Sequence, residues 1–469
     1  MKGSTMIRYC FLITAAAICL GLAPVWAEQT PPVMPKVVET PLPPPVELPG
    51  PDVMPTGIPS RPLTAEEAAN IALQRQPDVS AAEALLRAAQ GRQTQAKSGL
   101  LPALSVTTGY TKADVRQFTD RSTSPDAAAV SDPTGYQASA TVRQLLFDFS
   151  HTREVVSQAG AARQSARANL TRVQSDLVLK VKQSFYTFAQ NQRLASANEA
   201  NLRNRQHHVE LARARNKEGV GLPIDVVRAE TAVAEAALAL NIARTNSSLS
   251  RVGLAELMGI DPRTPIESAD TEEPAVAADD PNALVAQALA QRPEMAQAQA
   301  NVQAAGHAIG AAKTSNAPSL GANAGWLGKG RDTTIDADQF SVGVSIQWTP
   351  FNSGLTAGKV IEAKAGLQSA QAQMESTRLA VISDVSQAYL NLKTAEQRLV
   401  TAGVEVTNAG EAVRLAQGRY SAGLGMFLDV MDAQTALLTA ETNRVNAISS
   451  VNQARAALVH AVSGPKQQP

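Results

Sequence analysis

Apolar and polar positions in this chain change period in a fixed order, and the same order is run through twice. Helical spacing predicts an amphipathic helix over about 65–99 and a counterpart over about 282–315. Strict alternation follows in each half, which predicts two strands separated by a polar, turn-rich loop. In the second half Val342, Val344, Ile346 and Trp348 share one face, and Ser341, Gly343, Ser345 and Gln347 the other. Leu320, Ala322, Ala324 and Trp326 alternate with Gly321, Asn323 and Gly325. In the first half Leu104, Val106 and Tyr110 oppose Ser105, Thr107 and Gly109. Tyr136, Ala138, Ala140 and Val142 likewise oppose Gln137, Ser139, Thr141 and Arg143.

The alternation then gives way to helical spacing. About seventy residues run without proline, the residue that breaks a helix interior, to Lys217 in one half and Ser421 in the other. At ~1.5 Å per residue such a helix reaches ~100 Å. Leu379, Ile382, Val385, Tyr389 and Leu392 mark its apolar stripe in the second half. Asp148 in "LLFDFSHTREVV" and Asn352 in "TPFNSGLTAGKV" are expected N-caps at the strand-to-helix switches. "FDFS" and "FNSG" differ enough that the two switches need not bend alike. A glycine-bearing stretch ends each long helix, and a second helix of about thirty-five residues, long enough to pack back along the first, returns the chain. Each half therefore closes with a long helical hairpin.

The repetition extends to residues. "ALQRQPDVSAAEALLRAAQGRQTQAKSGLLPAL" from Ala72 aligns with "ALAQRPEMAQAQANVQAAGHAIGAAKTSNAPSL" from Ala288, pairing Pro77 with Pro293 and Pro102 with Pro318. "QSARA" from Gln164 pairs with "QSAQA" from Gln368. The chain is a tandem duplication. Its first repeat covers 63–266, an acidic Ala/Pro-rich linker 267–280, its second repeat 281–464 and a short tail 465–469.

Composition sharpens this architecture. Aromatics make up 4% of the chain, and Ala and Gln are plentiful, which suits long helices packed closely through small side chains. Lys+Arg and Asp+Glu both number 42, so no overall basic field argues for nucleic acid. Residues 1–27 read as a signal peptide, with Lys2 and Arg8, an apolar run from Phe11 to Leu22, and Val25-Trp26-Ala27 as the cleavage site. That run is short for a membrane anchor. Both cysteines, Cys10 and Cys19, fall inside it, which leaves the mature chain without thiol chemistry, and Ile18 argues against lipid attachment at Cys19. Residues 28–62 form a Pro-rich leader expected to be extended and polyproline-like. No apolar stretch of transmembrane-helix length follows the signal, so entry into a membrane requires a β-barrel.

Candidate chemistry is sparse. "RNKEGVGLPIDVVRAETA" from Arg215 and "RYSAGLGMFLDVMDAQTA" from Arg419 share Arg, Gly, Gly, Asp-Val, Ala and Thr-Ala at identical spacing. A phosphate loop needs a preceding strand and a lysine at a fixed offset. Here a helix precedes Gly219/Gly221 and Gly423/Gly425, Lys217 comes before its glycines, and the second copy has Tyr420 instead. Helix-hairpin turns explain both stretches. His207 and His208 face different sides of a helix with no third ligand at metal spacing, and no catalytic arrangement stands out, so no cofactor, metal or enzymatic activity is expected. Asp225 and Asp429 fit helix N-terminal roles. Asp432, one turn beyond Asp429 on the same face, leaves room for function.

Four strands with one apolar and one polar face cannot close a membrane barrel, which needs about eight or more. Symmetric oligomerisation removes the exposed edges, and three copies supply twelve strands. The duplicated helix–strand–strand–helix-hairpin layout, "LLFDFSHTREVVSQAGAARQSA", "WTPFNSGLTAGKVIEAKAGLQSA" and the two turn stretches resemble the outer-membrane factor family typified by TolC. The resemblance covers the chain beyond the leader. It implies a mainly α fold with a membrane β-barrel, the trimeric 12-stranded barrel being joined to a long α-helical barrel in the periplasm of a Gram-negative cell. It further implies an outer-membrane export channel fed by a periplasmic adaptor and an inner-membrane pump, carrying drugs or metabolites, or alternatively whole proteins by type I secretion.

By position, Gly219, Val220, Gly221, Leu222, Gly423, Leu424, Gly425 and Met426 are implied adaptor-docking tips. Asp429 and Asp432 take the place of an acidic ring at the periplasmic aperture, Tyr420 matches a tyrosine holding the closed tip, and Asp225 its partner. Gly425 stands where the family type carries a basic residue, which argues against a closed-state salt bridge there. Tyr110, Tyr136, Trp326 and Trp348 are expected at the membrane interfaces, against lipid. A soluble coiled-coil adaptor, the reading from another class, has the hairpin but not the paired alternating strands.

Overall fold

The computed structural model describes residues 61–112, 135–269, 272–274, 280–330 and 334–463. The signal peptide, nearly all of the leader, the centre of the first strand–strand loop, part of the acidic linker and the tail lie outside the described residues. In the first half α1 (Ala65–Arg75) and α2 (Pro77–Ser98) lead into β1 (Ala103–Thr111) and β2 (Gly135–Phe147), then α3 (His151–Lys217) and α4 (Pro223–Leu257). The second half repeats the order with α5 (Pro281–Gln291), α6 (Pro293–Thr314), β3 (Ser319–Gly330), β4 (Ala337–Gln347), α7 (Leu355–Ser421) and α8 (Phe427–Val462). Helices α3 and α7 each hold 67 residues.

The single helix expected at the start of each half is broken in two. Gln76 and Arg292 are extended, with ψ of 124° and 134°, because a residue before proline is driven out of the α region. Pro77 and Pro293 then open the next helix, where a missing N–H is harmless. The break lets α1 and α5 lie across the hairpins at mid-height. There Ala68, Ala72 and Leu63 bury against Val181, Phe185, Phe188 and Leu254. Ala288 and Leu284 do the same with Val381, Val385, Leu392 and Leu458. Each fully buried Leu or Phe contributes roughly 1.5–3 kcal/mol, so these twin cores anchor the helices at their centre. The buried stripe of α7 is Val381, Val385, Ala388, Leu392 and Ala395. Leu379, expected on it, is exposed, because it falls on the outer side of a helix at the margin of the layer.

The strands form one antiparallel sheet in the order β1-β2-β3-β4. Its register builds apolar rows, Leu104–Val142–Ala324–Val342 and Val106–Ala140–Trp326–Phe340. That face is bare: Phe340 is 71% and Val342 72% exposed. The opposite face carries rows such as Ser105–Thr141–Gly325–Ser341. β1 and β4 are the two edges of the sheet.

The strand-to-helix switches bend alike, although their sequences left that open. Phe149 and Ser150 have φ of 52° and 69°, and Ser353 and Gly354 have 52° and 86°. Two successive left-handed residues re-aim the chain from sheet to helix in both halves, although only one of the four is glycine. The expected caps are displaced for the same reason. Ser150 and Gly354 occupy the cap positions. Asp148 still reaches in, its carboxylate accepting the Thr152 N–H at 2.8 Å. Asn352 instead donates from its side chain to Thr356 Oγ1 at 2.8 Å.

Below the sheet the helices form a layer. Toward the strands the packing order is α2–α3–α6–α7, and toward the hairpin turns it is α4–α3–α8–α7. At every level one margin is built by the first repeat and the other by the second.

Candidate functional site: the hairpin turns and the seam between them

Both glycine stretches are Schellman turns. Gly219 and Gly423 take φ of 74° and 75°, one residue past the C-caps Glu218 and Ala422 of the long helices. The Val220 N–H bonds the Arg215 carbonyl at 3.0 Å and the Gly219 N–H that of Asn216 at 3.1 Å. In the second copy Leu424 bonds Arg419 at 2.8 Å and Gly423 bonds Tyr420 at 3.1 Å. The second glycines serve close approach. A Cβ on Gly221 would lie 2.8 Å from the Asn216 nitrogen, and one on Gly425 3.1 Å from the Arg419 Cβ. These amides are consumed by helix termination, as a turn requires.

The turns display Val220, Leu222, Leu424 and Met426 as exposed apolar side chains. Tyr420 is buried with Val209, Ala212, Ala229, Phe427 and Val430. Its direct partner is Arg215, which the turn motif alone does not mark as a site residue. The guanidinium lies 4.5 Å from the ring centroid and donates to the Tyr420 carbonyl at 3.1 Å. Burial raises the Tyr420 pKa; Arg215 opposes that and Asp225 reinforces it, which puts Asp225 within electrostatic reach. The signal was available: Arg215 and Arg419 are equivalent in the duplication, but only Arg215 falls on the seam, and Arg419 is exposed.

Asp429 is exposed, and its carboxylate accepts the Met426 N–H at 3.3 Å, so it caps α8. Asp432 is exposed one turn further on. At the position equivalent to Asp432 the first turn carries Arg228, also exposed, so the two turns differ in charge.

The α3–α8 seam joins the two hairpins. Near the turns His208 is buried, its Nε2 against the Gln434 side-chain amide, while His208 Nδ1 and Gln434 Oε1 lack partners. His207 is exposed. Arg205, also buried, donates to Met431 Sδ at 3.1 Å and Thr435 Oγ1 at 3.0 Å. A groove of about 950 Å³ runs alongside, walled by α3 and α7 and floored by α8. At mid-height the seam is tightly satisfied. Gln190 donates to Asn446 at 2.7 Å and Ser449 to the Tyr186 carbonyl at 3.1 Å. Glu273 of the linker is 4% exposed and takes Lys182 Nζ and the Tyr186 hydroxyl at 2.5 Å each. Burial, then the Glu273 bond, raises the Tyr186 pKa strongly. Asn452 and Arg455 of α8 hold the Glu273 backbone. Glu273 of the acidic linker is therefore packed into the body, and Leu63 pairs with Ser268 of the same stretch.

Of the aromatics, Tyr110 and Tyr136 pair across β1 and β2 at the loop end of the sheet. Trp348 follows the helix end of β4, where Phe147, Phe149 and Phe351 are also exposed. Trp326 sits inside the apolar band, opposite Phe340. Among the described residues no helix is long and apolar enough to cross a membrane, and no His, Cys, Asp or Glu cluster is arranged to hold a metal.

Long hairpins beneath a small sheet with a bare apolar face define a membrane channel protein. The chain matches the family described as "Outer membrane efflux protein" over residues 68–260 and 284–464 and belongs to it. It is an efflux channel of the Gram-negative outer membrane, with a transport role and no enzymatic one. It is similar to the pyoverdine export outer membrane protein OpmQ of Pseudomonas putida, 24% identical over 402 residues that span 84% of each chain. Similarity to the toluene efflux pump outer membrane protein TtgC of Pseudomonas putida is 28% over 322 residues, 65% of this chain and 64% of that one. The fold resembles the outer-membrane channel OprN, with a TM-score of 0.73 at 21% identity, over 86% of this chain and 91% of that one.

Proposed function

We propose that three copies of this chain close into a passive duct that receives small molecules, such as drugs or metabolites, from a periplasmic adaptor and an inner-membrane pump. The observation that carries this reading is the sheet, whose apolar face is bare and whose edges β1 and β4 have one pairing neighbour each. Pairing β4 of one copy with β1 of the next gives a twelve-stranded barrel with no free edge. The helical margins agree, because the same rotation sets α7 against α4 of the next copy. Both carry exposed apolar side chains, including Val400 and Val404 on α7 and Leu238 and Ile242 on α4.

The exposed Val220, Leu222, Leu424 and Met426 support docking of the adaptor at the turns, with Gly219, Gly221, Gly423 and Gly425 shaping them. Three copies of the Asp429–Asp432 pair surround the aperture and favour cations. Tyr420, Asp225 and Arg215 hold the turns together. Tyr110 and Tyr136 above, and Trp348 below, meet the lipid interfaces, with Trp326 in the hydrocarbon. Light scattering of the detergent-extracted protein tests the assembly: a trimer mass is expected, and a stable monomer that inserts into bilayers overturns it. Loss of the chain is expected to sensitise cells to small toxic compounds, and a cell whose only change is in secreted proteins overturns the substrate class.

A further inference from the structure

The α3–α8 seam is finished at one end and unfinished at the other. The unfinished end holds a titratable group that the duct reading does not use. His208 is 8% exposed and has one hydrogen-bond partner, the Gln434 amide, for two ring nitrogens. A neutral imidazole bears this, since its unpartnered nitrogen need not carry a charge. A protonated one has two donors and a charge, and burying an unpartnered charged donor is strongly unfavourable.

Its surroundings offer no compensation. On α3 it faces Arg205 and His207, with Arg215 two turns below. On α8 its neighbours Gln434 and Phe427 are uncharged. Among the described residues no acid of the packed helices bonds the ring, and Glu210 of α3 lies against His207 instead. Glu230 of α4 holds Arg213, and Glu411 of α7 holds Arg414. Glu235 of α4 acts on Arg205, and Asp225 on Tyr420. Glu441 lines the adjoining groove. Burial, then His207 and Arg205, push His208 below its ordinary value of 6.5.

The groove of about 950 Å³ beside the ring gives water a route and α8 room to move. The cluster is also specific to one seam. In the second repeat the positions equivalent to Arg205 and His208 are Ala409 and Ala412.

We propose that His208 is an acid-operated latch, whose protonation parts α8 from α3 near the turns while the Glu273 clasp holds them together at mid-height. The sign follows from linkage. Between the lowered value of the closed seam and the ordinary value of a hydrated ring, the parted form binds more protons. The closed form is therefore fully favoured above the ordinary value and loses ground as pH falls through that window. The latch rests on reading the turns as the gated end of a duct, but its structural step is measurable without export.

The mature chain is expected to lack cysteines, so spin labels placed by Asn204→Cys on α3 and Gln417→Cys on α7 report the width of the groove. In the mature, detergent-solubilised protein, the label separation is expected to lengthen as pH falls from about 7.5 to about 5.5, the range in which histidine titrates. His208→Gln keeps a polar contact with Gln434 and is expected to lose the response, whereas His207→Gln keeps it. Gln434→Glu gives the protonated ring a carboxylate partner and is expected to move the response to lower pH or abolish it. An acid response undiminished in His208→Gln, or equally lost in His207→Gln, overturns the latch, as does a wild-type separation that does not change. A protein that parts with acid but forms no conducting pore would keep the latch and remove the duct.

Discussion

The seam between the two hairpins is built in two ways along one pair of helices. At mid-height a buried glutamate from the linker meets an ammonium and a phenol through its carboxylate and two α8 side chains through its backbone, and its polar groups are matched. Toward the turns a buried guanidinium meets a thioether and a hydroxyl, and a buried imidazole is half satisfied. The same two helices are thus pinned at one level and loosely joined at another. The difference teaches that burial alone does not measure how firmly two elements are held; the fraction of buried polar groups with partners does.

Removing the clasp is the strongest way to break this contrast. Glu273→Ala leaves Lys182 and Tyr186 without their carboxylate, and breaking a buried pair costs on the order of 3–5 kcal/mol. A lower thermal midpoint in detergent is expected, together with faster hydrogen exchange in α3 and α8 around Tyr186 and Asn452. The opposite sign is expected near the turns. Arg205→Met removes a buried cation that no hydrogen-bonded carboxylate balances, and the replacement is expected to be neutral or stabilising. A midpoint that falls as far as in Glu273→Ala would erase the distinction between the two levels.

Smaller effects separate the turns. Gly221→Ala forces a Cβ to within 2.8 Å of backbone, whereas the nearest atom to a Cβ at Gly425 is 3.1 Å away and the nearest backbone atom 3.3 Å. Exchange at the first turn should quicken by about tenfold, matching a local cost of roughly 1–2 kcal/mol, and the second should change less. Least in stability, though not in function, is the double change Asp429→Ala with Asp432→Ala. It is expected to lower cation preference in planar-bilayer recordings with the thermal midpoint little altered. Unchanged selectivity would remove these carboxylates from the aperture.

The duplication, the strand alternation and the length of the hairpins were legible in the sequence because they are carried by period. Val385 and Leu392 announce a buried stripe by spacing alone. The Pro77 and Pro293 breaks were also written in the chain, but the apolar spacing on either side continues in phase and masked them. The turns were legible through Gly219 and Gly423, whose backbone conformation suits glycine. The left-handed pair Phe149–Ser150 was not, since neither residue type advertises it; only the equivalence with Ser353–Gly354 points there.

The seam was the least legible part. Whether Arg215 or Arg419 packs on the seam depends on which margin of each hairpin meets the other, and two copies of one motif look alike until they are packed. Glu273 sits in a stretch whose acidic composition reads as a solvated connection. Nothing local marks it as the residue that Lys182 and Tyr186 converge on.

The equal length of α3 and α7 has a consequence for how such a chain can vary. Each sends its turn to the same depth only because both hold 67 residues. Deleting one residue from either would raise that turn by ~1.5 Å and rotate every position beyond the deletion by about 100°. The stripe that meets the twin cores and the face that meets the seam would then no longer coincide. Insertions and deletions in these helices are therefore tolerable only as matched events in both repeats, and in multiples that restore the stripe. Length drift among relatives should collect in the strand–strand loops, the linker and the leader, leaving the reach of the hairpins as a ruler copied twice in every chain.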